Sequence, residues 1–194
     1  IFKMELPKLK TLKGRELLFL GILVLLEVLI IFFLSRILLP SRMIILSLAL
    51  IALSINLIHG LEGGLGRISG YLFLLSVFSF NLMDVGIMGA GKILTFLLTG
   101  LIVEGAYLAL SYWGEGLAAI VSTSLATLLI PLISAFFISP SLASTFPLSL
   151  VNLCLVGLMV GIIISSVWEL GALLLGHISA FQKIKVLWKR WMEY

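Results

Sequence analysis

The chain has 194 residues, of which 61% are hydrophobic and only 11% charged, with a mean hydropathy of +1.26. A water-soluble domain is about 25% charged, so a chain this apolar could not cover a surface facing water, and a soluble enzyme or carrier is excluded. The net charge of +4 comes from the two ends and suits anionic lipid head groups or an acidic partner, not nucleic acid.

What remains is an all-α integral membrane protein forming a compact bundle, with residues 1–194 as one transmembrane domain. A spanning helix needs roughly 20 apolar residues, and six segments qualify. The first covers residues 17–39. It is longer than a signal-peptide core and no small-x-small cleavage site follows, so it reads as a retained span. The second, 43–59, is short and is set off by Pro40-Ser41-Arg42. The third, 68–85, follows the glycine-rich "HGLEGGLGRISG". The fourth covers 93–113 and the fifth 116–138. The sixth, 147–180, is too long for one crossing and should protrude. The tail 181–194, "FQKIKVLWKRWMEY", interleaves Trp188 and Trp191 with Lys and Arg, as a helix lying at the cytoplasmic interface would.

Six crossings put both termini on one side. That side then carries Lys3, Lys8, Lys10, Lys13, Arg15, Arg67, Lys183, Lys185, Lys189 and Arg190, ten basic residues against Arg36, Arg42 and Lys92 on the other. Positive charge stays inside, so both termini are expected in the cytoplasm and the chain in the cell membrane. The one cysteine, Cys154, cannot form an intrachain disulfide.

The stretch "GIMGAGKI", residues 86–93, reproduces the G-x-x-x-x-G-K spacing of a phosphate-binding loop. Such a loop needs a preceding strand and a Ser or Thr after the Lys to ligate magnesium. Here Ile93 follows Lys92 and the stretch falls on the outer face, so Gly86, Gly89 and Gly91 read as a flexible outer turn. Any ATP hydrolysis belongs to another subunit.

Ionisable groups in hydrocarbon are costly and are functional candidates by default. Glu27 lies near the middle of the first span and Glu104 near the middle of the fourth. Gly100, Glu104, Tyr107 and Ser111 recur at helical spacing and form one polar stripe. Glu104 and Tyr107 would line a small-molecule pocket between helices, with Asn152, Asn81 and Asp84 nearer the outer mouth. The competing reading makes these groups hydrogen-bonded glue between helices. Catalysis is poorly supported, because His59 and His177 stand on separate helices without a ligand set and Asp84 is the only aspartate. No metal or cofactor is implied. Small residues also recur, as Gly157, Gly161 and Ser165 on the sixth helix and as Ala118, Ser122 and Ala126 on the fifth. Such ridges let helices approach closely. Packing within the bundle is the simpler use, and docking of a partner membrane subunit the sharper one.

The stretch "GAGKILTFLLTGLIVEGAYLALSYWGEGLAAIVSTSLA", residues 89–126, is similar to the substrate-binding S components of energy-coupling factor (ECF) vitamin importers, in particular those for thiamin precursors. The likeness rests on a Gly-Ala run, an apolar helix with Val-Glu, then Trp-Gly and a small-residue helix, and covers about half the chain. Helix 1 reads "GILVLLEVLIIF", without the A-x-x-x-A docking element of many S components. The resemblance implies capture of a vitamin or its precursor from outside. It implies a membrane scaffold subunit with two cytoplasmic ATPase subunits, and release by reorientation in the bilayer. Glu104 would contact the substrate. Two other readings compete: a structural subunit of a larger ion-translocating or redox complex and, ranked last, a small enzyme acting on lipid-embedded substrates.

Overall fold

The computed structural model describes residues 14–60, 66–82, 89–137 and 147–175, with 186, 187 and 190. These residues form six helices and no strand: α1 Gly14–Leu34, α2 Pro40–His59, α3 Arg67–Leu82, α4 Gly89–Ser111, α5 Glu115–Phe137 and α6 Pro147–Leu175. All but α3 are long and apolar enough to cross a membrane. Their outward surface is aliphatic, with Leu18, Ile22 and Leu26 exposed on α1 and Leu155, Met159, Ile163 and Val167 on α6. Water would not support such a surface, and lipid does.

The helix ends follow local chemistry. α1 stops at Leu34, earlier than the apolar run suggests; the chain turns through residues 35–38, and Leu39, which precedes Pro40, is held extended at φ −64° and ψ 149°. Pro40 then opens α2, three residues ahead of the sequence expectation, in the first turn where its missing N–H is not needed. Gly89 and Gly91 belong to the first turn of α4, which corrects their reading as a flexible outer turn; Gly86 lies outside the described residues. Gly114, at φ +146°, makes the turn from α4 into α5. α6 runs for 29 residues, about 43 Å at 1.5 Å per residue, longer than the ~30 Å hydrocarbon layer. The interfacial tail falls outside the described residues except at 186, 187 and 190.

Around the bundle, α1 packs on α3, α3 on α4, α4 on α5 and α5 on α6. α6 returns to α2, which also meets α1, α3 and α5. The inner half of α2 is accordingly covered on most sides. Ile51, Ala52, Ser54, Ile55, Asn56 and Ile58 are buried, and only the stripe of Leu53 and Leu57 reaches the surface. Consecutive helical residues point about 100° apart, so a run of this kind needs several neighbours at once. The apolar core joins Leu20, Val24 and Val28 of α1 to Ile51 and Ile55 of α2, Tyr71 and Leu72 of α3, and Val103 of α4.

The closest approach lies between α5 and α6. A Cβ placed on Gly157 would stand 2.2 Å from the Thr127 carbonyl oxygen, and one on Gly161 would stand 2.4 Å from Thr127 Oγ1 and 2.6 Å from Ser124 Cα. Pro131 inside α5 has no N–H, so the Thr127 carbonyl loses its helical partner. Gly157 lets the α6 backbone close over that freed oxygen. Ala118 and Ser122 are also buried, and Ser165 is buried against Asn56. Both small-residue ridges are therefore used within this chain's own bundle, and the five residues considered for partner docking present no surface there.

Candidate functional site

Two buried carboxylates organise the polar interior, and the helices position them differently. α4 crosses α3 closely at Gly100, where a Cβ would come within 2.7 Å of Ser69 Cα. One turn further on, Glu104 reaches the start of α3. One of its oxygens accepts the Gly66 N–H and the other accepts Ser69 Oγ–H at 2.9 Å. The first N–H groups of a helix have no partner within the helix, and that end carries partial positive charge. Glu104, only 8% exposed, thus caps α3 from a neighbouring helix. Gly66, at φ 95°, supplies the turn that aims its N–H there. Beside it, Arg67 is buried and forms an ion pair with Glu16 in the first turn of α1.

Three residues beyond Glu104, the Tyr107 ring stacks on His59 of α2, with centroids 4.1 Å apart and planes at 21°. His59 Nε2 lies 2.9 Å from Ser122 Oγ of α5, and that hydroxyl also donates to the Ala119 carbonyl at 3.1 Å. With the serine proton so used, Nε2–H is the donor to Ser122. Glu115 and Glu169 act electrostatically on Tyr107, and the Glu169 carboxylate lies over Gly116. Four helices thereby meet at one end of the bundle in an aromatic pair edged by acids.

Glu27 sits apart from this cluster. It is 3% exposed, between the buried Val24 and Val28 of α1. Its Oε2 accepts the Tyr71 phenol O–H from α3 and, at 3.3 Å, Ser54 Oγ–H from α2. Its Oε1 is buried with no partner. No basic side chain pairs with it among the described residues. A third polar contact joins α2 to α6. Asn56 Nδ2 donates to Ser165 Oγ at 3.0 Å and to the Ala52 carbonyl at 2.8 Å.

The residues singled out from sequence are therefore not gathered at one point. Glu104 and Tyr107 share one side of α4 but face α3 and α2 respectively. Glu27 occupies the α1–α2–α3 junction. Asn152 is exposed on the outer surface of α6, away from all of them. Asn81 lies in the last turn of α3, where only the backbone is described, and Asp84 lies outside the described residues. Sequence reasoning missed Tyr71, Ser54 and Ser69. Tyr71 carried a signal, since a phenol in an apolar run needs a hydrogen-bond partner when buried. Ser54 and Ser69 carried none.

Among the described residues, no three His, Cys, Asp or Glu side chains gather as a metal-binding group. No protein-family model matches the chain, and no curated protein or solved structure matches it.

Proposed function

We propose that this chain is the membrane-embedded substrate-binding subunit of an importer of the energy-coupling factor type, taking up a vitamin or vitamin precursor. Six crossings with both termini in the cytoplasm fit the segregation of its basic residues. The observation that carries the reading is the presence of buried carboxylates at two depths inside an aliphatic shell. Glu104, with the Tyr107–His59 pair, stands at one end of the bundle, and Glu27 stands deeper. Expensive groups at successive depths suit a solute path better than they suit simple packing, which α5 and α6 achieve at their closest approach with Gly, Ser and Thr. In the proposed orientation the Glu104–Tyr107 cluster faces the cytoplasmic side, where release occurs, and a flat ligand bearing an amine would stack on Tyr107 between Glu115 and Glu169. A scaffold subunit and two ATPase subunits supply the energy.

The full chain, purified in detergent without ATP, should carry or bind a vitamin-like ligand identified by mass spectrometry, and Glu104→Gln should weaken that binding. Unchanged affinity in the variant removes Glu104 from the site. A stable set of co-purifying membrane partners with no bound small molecule would favour a structural subunit of a larger complex.

A further inference from the structure

We infer that Glu27, at the α1–α2–α3 junction, is a proton-binding site whose exchangeable proton rides on Oε1. The inference goes beyond the importer reading and does not depend on it. Three observations carry it. Glu27 is almost wholly enclosed. Both hydroxyls within reach, Tyr71 and Ser54, spend their hydrogens on the same oxygen, Oε2. The other oxygen, Oε1, is enclosed and has no partner at all.

An ionised carboxylate in this position would leave a full charge in hydrocarbon. The groups facing it bring no positive charge. Among the described residues, Tyr71 from α3 and the neutral Ser54 from α2 are the side chains that act on it. The ion pair of Arg67 with Glu16 lies eleven residues back along α1, about 16 Å at 1.5 Å per residue. A proton on Oε1 removes the charge and leaves Oε2 free to accept both hydroxyls as it does. A metal ion fits poorly. The phenol and the serine direct hydrogens at Oε2, not lone pairs at a common point, and one carboxylate oxygen cannot by itself replace the hydration shell of a hard cation. The exchange is simple: the carboxylic acid releases one proton and becomes a carboxylate, while Tyr71 and Ser54 keep theirs. After release, the charge must be met by water, so loss of the proton loosens α1 from α2 and α3.

Dicyclohexylcarbodiimide, which enters lipid and reacts with protonated carboxyl groups, tests this on the full chain in lipid vesicles, read by peptide mass spectrometry. Glu27 should be modified, and the rate should fall about tenfold per pH unit above its midpoint, as a protonated fraction does. Glu27→Gln should remove the modification. Tyr71→Phe should move the midpoint to higher pH, because the phenol stabilises the ionised form. The inference is overturned if Glu27 stays unmodified while other carboxyl groups react. A rate independent of pH, or a rate slowed by added sodium chloride but not by choline chloride, overturns it equally.

Discussion

The two sides of this bundle are held together by opposite means. Between α5 and α6 the backbones nearly touch, and Gly157, Gly161, Ser124 and Thr127 make the seam from the smallest side chains available. At the junction of α1, α2 and α3 the helices stand apart, filled by Leu20, Val24, Val28, Ile55 and Tyr71, and a carboxyl group is enclosed among them. The first side has no room for an added methyl group. The second is filled by large side chains and has little tolerance for an unmet polar atom. A membrane protein cannot gain stability by hiding apolar side chains from lipid, so shape on one side and hydrogen bonding on the other carry the association.

Breaking the seam should cost most. Gly157→Leu forces a side chain into the Thr127 carbonyl and should lower stability by about 3 kcal/mol, read as a fall in the thermal midpoint of the full chain in detergent. Gly171→Ala, where a Cβ meets nothing within 4 Å, should lose nothing, which separates crowding from helix propensity. The junction should respond to polarity. Glu27→Leu strands the Tyr71 phenol and should cost about 1–3 kcal/mol, while adding Tyr71→Phe should restore most of it. A double variant as unstable as the single one would mean that filling, not hydrogen bonding, governs the junction. A smaller effect is expected where the sides meet. Glu104→Gln keeps an acceptor but removes charge from the start of α3, for about 0.3–1 kcal/mol. Faster hydrogen exchange confined to the first turn of α3 would report it. Least of all, Asn152→Leu on the lipid-facing side of α6 should change stability by less than about 0.5 kcal/mol.

The helices were legible in the sequence because hydrocarbon imposes a length and a composition on anything that crosses it. Their ends were less so, since Pro40 acts through the residue before it and moved the break between α1 and α2. Glu27 and Glu104 stood out as acids in apolar runs, but their uses did not. What Glu104 does depends on how closely α4 crosses α3 at Gly100, a distance that no single helix encodes. The pairing of Pro131 with Gly157 was hidden for the same reason: each residue is unremarkable alone, and the freed carbonyl matters only once α6 lies across it.

The enclosure of α2 bears on how the chain is made. Asn56 finds Ser165 only after 109 further residues have been synthesised, and His59 finds Ser122 after 63. Until then α2 carries an amide that meets just the Ala52 carbonyl of its own helix, and an imidazole without its serine. It enters the bilayer before α5 and α6 exist, so α6 acts as a latch on α2. A chain truncated before α6 would leave α2 to insertion machinery or quality control.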